Sequence, residues 1–96
     1  MGAMTISRLV NPKITSGTRY EYCTFVDVAL EYITLCNVQF IDCNFFACDF
    51  DSTRWIACDW LKCYNDSSFV RLNTFAACSL NWVRGGLDMS SSVIFG

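Results

Sequence analysis

Large apolar side chains recur every five residues along most of this 96-residue chain. Phe25, Leu30, Leu35, Phe40, Phe45, Phe50, Trp55 and Trp60 form an unbroken series, which resumes at Val70, Phe75 and Leu80. Two residues before each stands a smaller one: Cys23, Val28, Ile33, Val38, Cys43, Cys48, Thr53, Cys58, Cys63, Ser68, Asn73 and Cys78. A period of five fits neither an α-helix, at about 3.6 residues per turn, nor a plain strand, at about 2. It describes a chain that turns a corner every five residues and sends one small and one large side chain inward each time. Four such sides close a square turn, so residues twenty apart stack in columns. Tyr20, Phe40, Trp60 and Leu80 make one column, Leu30, Phe50 and Val70 another, and Leu35, Trp55 and Phe75 a third. Cys23, Cys43, Cys63 and Val83 make a ladder of the smaller kind. The expected fold is all-β: a quadrilateral β-helix of about 3–4 coils over residues 18–83, with short terminal caps.

The column of Phe25 and Phe45 is broken by Asn65, inside the turn-rich stretch Tyr64-Asn65-Asp66-Ser67-Ser68. Either Asn65 sits inside and bonds backbone, or the coil bulges there and resumes by Val70; the bulge is the favoured expectation. Residues 4–17 do not follow the period. Ile6, Leu9 and Val10 have helical spacing before Pro12, so a short helix or irregular segment is expected to cap the first coil. Met1-Gly2-Ala3 ahead of a second Met reads as a cloning remnant. Residues 84–96 open with Arg84-Gly85-Gly86, a break signal, and read as a C-terminal cap or a dimerisation segment.

Seven cysteines in so short a chain raise the question of a disulfide framework. Six of them occupy the small inward position, and only Cys36 does not. The repeat therefore accounts for them as small buried hydrophobes. Their odd number fits a reducing cytoplasm. The chain has no His and no Cys-x-x-Cys pair, so no metal site and no cofactor is expected. Catalytic constellations are missing too: paired carboxylates on a convex coil lack the cleft that would shift their pKa values. No apolar run is long enough to span a membrane.

The units Cys43-Asn44-Phe45, Cys48-Asp49-Phe50 and Cys58-Asp59-Trp60 resemble those of the pentapeptide-repeat family, and the likeness covers residues 18–83. Trp55 and Trp60 are bulkier than that family's usual residue. The resemblance implies a right-handed quadrilateral β-helix that is not an enzyme and binds other macromolecules.

Three of every five positions point outward, and they carry the acidic residues. Residues 19–66 hold Glu21, Asp27, Glu31, Asp42, Asp49, Asp51, Asp59 and Asp66 against Arg19, Arg54 and Lys62. Glu31 and Asp51 are twenty apart and so stack, with Asp49 on the same side and Asp27 just before its corner. Like charges on neighbouring strands oppose folding. One reading is an acidic strip of Asp27, Glu31, Asp49 and Asp51, with Glu21, Asp42 and Asp59 nearby, that imitates a phosphate backbone; the other is a solvated face with Arg71 relieving Asp51. Ile41 and Leu61 stack outward with Phe46 one corner away, and Tyr64, Phe69, Leu72 and Trp82 are expected to join them from the lower coils, either as a partner or dimer face or as packing under the terminal segments. Direct nucleic-acid binding is not expected at a pI of about 4.7 with no basic stripe.

Two precedents follow from the resemblance. Gyrase-protecting pentapeptide-repeat proteins imitate a long DNA rod, whereas this body spans only a few base pairs. In size, acidity and fold the chain is also similar to small phage-encoded type I-C anti-CRISPR inhibitors, whose targets read a short DNA motif. The expected partner is thus a DNA-binding protein complex in a host bacterial cytoplasm, a CRISPR effector ahead of a topoisomerase. An interaction scaffold working through Ile41, Phe46 and Leu61 is the remaining reading, and the chain itself is expected to be a monomer or homodimer.

Overall fold

Each five-residue unit becomes a three-residue strand and a tight corner. The computed structural model describes residues 4–84 and 93–95. The expected cloning remnant at 1–3 and most of the expected C-terminal segment, residues 85–92 and 96, lie outside the described residues. Fourteen strands run in chain order: β1 Met4–Ser7, β2 Thr18–Glu21, β3 Thr24–Val26, β4 Ala29–Glu31, β5 Thr34–Cys36, β6 Gln39–Ile41 and β7 Asn44–Phe46. They continue as β8 Asp49–Asp51, β9 Arg54–Ile56, β10 Asp59–Asp66, β11 Phe69–Arg71, β12 Thr74–Ala76, β13 Ser79–Arg84 and β14 Val93–Phe95. The described residues contain no helix.

All pairings are parallel, and they build four faces. The first face stacks β1, β2, β6, the start of β10, and β13. The second stacks β3, β7 and the end of β10. The third stacks β4, β8 and β11, and the fourth β5, β9, β12 and β14. Through the body, from β2 to β12, partners stand twenty residues apart, as in Phe25↔Phe45, Leu30↔Phe50 and Leu35↔Trp55, while β14 pairs with β12 at the offset Thr74↔Val93. The chain is a four-sided parallel β-helix of about three turns.

The corner is what makes the five-residue side possible. From Tyr22 to Ala77, every fifth residue adopts a left-handed conformation with φ between 51° and 61°, and none of the twelve is Gly. This residue directly precedes the small inward one. Its N–H points along the helix axis to a carbonyl of the next coil, as in Tyr22 to Ile41 (2.9 Å), Asp42 to Leu61 (2.9 Å) and Ala57 to Ala76 (2.8 Å).

The small inward side chain then closes the corner. Cys43 donates its thiol hydrogen between the carbonyls of Tyr20 (3.3 Å) and Ile41 (3.4 Å). Cys48, Cys58, Cys63 and Cys78 repeat this contact with the corresponding pairs of carbonyls. The cysteines are thus hydrogen-bond donors as well as small apolar fillers. Asn73 occupies the same position. Its amide donates to Phe50 and Arg71 carbonyls, both at 2.8 Å, and its oxygen accepts the indole N–H of Trp55 at 2.8 Å.

The large residues fill the interior as aromatic columns. Tyr20 stacks on Phe40 (centroids 5.3 Å apart), Phe40 on Trp60 (5.3 Å), and Phe25 on Phe45 (5.0 Å). Adjacent columns meet edge to face, Phe25 on Phe40 at 5.6 Å and Trp55 on Trp60 at 4.7 Å. Both geometries are favoured by the ring quadrupoles.

Three sequence expectations need correction. First, the N-terminal segment is not helical. β1 forms a partial coil with its own offset, Met4 pairing with Thr18, fourteen residues on. Val10 then bridges to Thr24, and the following residues cross beneath the helix with Ile14 buried as a plug. The Tyr20 hydroxyl anchors this crossing by donating to the Lys13 carbonyl and accepting from the Thr15 N–H (2.8 Å). Helical spacing over so few residues could not outweigh the open backbone edge of β2. Second, the coil does not bulge at Asn65, which pairs in register with Phe45. Third, the register shifts where β10 pairs with β13, around Cys63, so that Trp82 lies opposite Cys63 instead of Val83. Trp82 turns inward and packs against Phe45 (5.8 Å) and Trp60 (6.5 Å), over the gap left by the smaller Asn65. Val83 is left exposed.

Two outcomes follow from this architecture. Replacing the exposed Ala77 by Gly keeps its left-handed backbone and removes the Cβ conflict, so the fold gains about 1 kcal/mol in urea denaturation, whereas Ala77→Val loses stability. The second concerns the thiols. Burial raises the Cys58 pKa from 9.0 to about 11. Burial likewise raises Cys23, Cys48 and Cys78, and Cys43 is raised by the neighbouring Cys63 thiol and by burial. The folded state therefore favours the neutral thiol. Its contribution is complete below pH 9.0 and is lost as pH rises toward 11 for Cys58. Stability should fall by about 1.4 kcal/mol per pH unit for each thiol ionised only in the unfolded chain. At pH 7.5 the outward-facing Cys36 should react first with a thiol reagent, the inward thiols following only on unfolding, as mass spectrometry of timed samples will show.

Candidate functional site

The strands project alternate side chains outward, so the pairing register decides which surface groups become neighbours. On the third face, Ala29, Asp49 and Phe69 form one outward column, and Glu31, Asp51 and Arg71 the other. Asp27 occupies the left-handed corner that leads into this face. Four of the seven candidate acidic residues are therefore brought together: Asp27, Glu31, Asp49 and Asp51. Asp27, Glu31 and Asp49 are exposed, and Asp51 is half-buried.

The cluster is partly relieved in its upper coil. Arg71 approaches Asp51 at 3.9 Å, with its own side chain largely exposed, and the Ser52 hydroxyl donates to Asp51 at 3.0 Å. An ion pair so long and so wet contributes about 0–1 kcal/mol. Glu31, Asp49 and Asp27 form no ion pair among the described residues.

The other three candidate acids lie elsewhere. Glu21 and Asp59 are on the first face, across the helix from the third. Arg19 neutralises Glu21 at 3.2 Å, and Gln39 makes a long contact with Asp59 at 3.5 Å. Asp42 sits at the corner between the first and second faces, where Tyr22 and Lys62 are its counterparts in the coils on either side.

The candidate apolar residues also separate. Ile41 and Leu61 stack in register on the first face. Phe46 belongs to the outward column of Val26 and Asp66 on the second face. Of the residues expected to extend this patch, Tyr64 is exposed on the second face with Phe46, Phe69 lies on the third face, Leu72 follows it at a corner, and Trp82 is inside. The exposed apolar side chains are thus distributed around the helix and not gathered on one side.

The described residues hold no group of three or more His, Cys, Asp or Glu placed to bind a metal ion. No helix of the described residues is long and apolar enough to cross a membrane. No family model matches the chain, and no curated protein matches it either.

Glu31 and Asp51 are directly paired across a strand spacing of about 4.8 Å. Removing one charge should stabilise the fold. Glu31→Gln is expected to gain a few tenths to about 1 kcal/mol in urea denaturation. The gain should shrink when salt is raised from 20 to about 500 mM. Asp42→Asn, away from the cluster, should give no comparable salt-dependent gain.

Proposed function

We propose that this chain is a non-enzymatic inhibitor whose third face imitates a short stretch of DNA and occupies the DNA-binding surface of a protein complex. The in-register stacking of Glu31 on Asp51, with Asp49 and Asp27 beside them, is the observation that carries this reading. A face that had only to fold would gain by alternating charges, as the upper coil does with Arg71. Duplex DNA carries one phosphate charge per about 1.7 Å of axis, so one strand spacing of about 4.8 Å corresponds to about three phosphates. Four carboxylates on two adjacent coils, about two per spacing, supply roughly two-thirds of that density.

Size supports a brief DNA element as the thing imitated. The body measures 31 × 29 × 23 Å, nearly as wide as it is long. A rod long enough to replace the duplex held by a gyrase would need a more extended body. A CRISPR surveillance complex instead reads a short protospacer-adjacent motif before unwinding its target, which suits the dimensions of this face. On this reading the chain acts in a bacterial cytoplasm as a pentapeptide-repeat anti-CRISPR. The Ile41, Leu61 and Phe46 side chains, which point from different faces, support a separate scaffold function less well.

The test is competition with target DNA for a purified type I-C surveillance complex. Wild-type protein should displace the DNA, with an affinity that falls steeply as salt rises. The variant carrying Glu31→Lys, Asp49→Lys and Asp51→Lys should lose at least about tenfold in potency, and Asp59→Lys on the opposite face should keep it. Undiminished inhibition by the triple Lys variant would sink the mimic reading. Inhibition of DNA supercoiling with no effect on the surveillance complex would redirect it to a topoisomerase.

A further inference from the structure

The first coil leaves one side of the helix uncovered. Fourteen residues separate Met4 from its partner Thr18, whereas twenty separate Arg19 from Gln39. The chain follows the first face and the start of the second, then cuts across. The Asn11 side chain caps Val26 through two hydrogen bonds, and Ser16 and Gly17 reach Cys36 on the fourth face. The third face is skipped. Among the described residues β4 therefore pairs on one side only, with β8, and its other backbone edge is open. The inward side chains beside that edge register the omission. Val28, Leu30 and Ile33 are only partly buried, while Cys48, Phe50 and Thr53 one coil above are fully buried.

An open edge with apolar groups behind it accepts an extended strand. We propose that the β4 edge docks an extended segment of a partner protein carrying an apolar side chain inward and a Lys or Arg outward. The columns specify this pattern. A parallel strand beneath β4 would set a small residue under Val28, a large apolar residue under Leu30, and an outward residue under Glu31. Glu31 already stacks on Asp51, and Asp27 stands at the adjacent corner, so the outward place favours a cation. A second copy of this chain is a poorer occupant, because pairing two β4 edges sets Glu31 and Asp27 against their own counterparts. This edge lies beside the acidic surface of the DNA-mimic reading and does not depend on that reading. It recognises a peptide backbone, which the face does not.

The experiment is an amide NMR titration of the full chain with the peptide acetyl-Gly-Val-Thr-Leu-Lys-amide. Saturable shifts are expected at the amides of residues 28–33 and not at 54–56. The same peptide with Asp in place of Leu should produce none. Glu31→Gln should weaken the response, and Glu31→Lys should remove it. Asp49→Lys should leave it unchanged even where competition with DNA is lost, which separates the two proposals. Absence of saturable shifts up to about 5 mM peptide, where even weak binding would register, overturns the inference. An equal response to the Asp peptide overturns it as well, since that is charge attraction alone. So does a concentration-dependent dimer with protected β4 amides, which would make a second copy the occupant.

Discussion

Turning a corner every five residues leaves backbone carbonyls beside a buried interior that shields them from solvent. Orphaned polar groups in such a place cost about 1–3 kcal/mol each, and a dozen corners would be enough to prevent folding. Two devices remove the problem together. A left-handed residue redirects one N–H along the axis to the next coil, and at the corners that hold Cys, Thr53 or Asn73 the small side chain after it supplies a second donor to the carbonyls, whereas Val28, Ile33 and Val38 fill their corners with apolar bulk alone. The width of the square, the stacking of the aromatic columns and the flatness of the faces all depend on this arrangement.

The same arrangement explains the abundance of cysteine. A thiol is small enough for the corner, apolar enough for burial, and carries one weak donor. Thr53 solves the problem with a hydroxyl, donating to the Asp51 carbonyl at 3.3 Å. Asn73 solves it with two N–H groups, and its remaining oxygen takes up the indole of Trp55, which no cysteine could have satisfied as well. What reads as a polar lapse in an apolar repeat is therefore the hydrogen-bond partner of a buried indole, that of Trp55.

The columns were legible in the sequence because inward side chains touch their counterparts twenty residues away, and bulk at those places is visible without coordinates. The face that holds Glu31, Asp49 and Asp51 was legible for the same reason. The left-handed corners were not, because residues as different as Tyr32, Lys62 and Leu72 occupy them and share a backbone angle, not a side-chain property. The first coil was misread because Ile6, Leu9 and Val10 fit a helix locally, and only the unpaired edge of β2 decides between helix and strand. Trp82 was placed outward by strict counting. The small volume of Asn65 and a one-residue shift in β13 together draw it inside.

The twenty-residue register has a consequence for how such a chain can change length. Loss of one five-residue unit would preserve every alternation of small and large side chains, so the shortened chain could still coil. Everything beyond the deletion would nonetheless rotate by one quarter turn, and a carboxylate on the third face would emerge on the second. Only insertions or deletions of a full twenty residues keep each surface group above its former neighbour. For a helix of this kind, the angular placement of a binding surface is therefore inherited in whole coils, while the fold tolerates change in single sides.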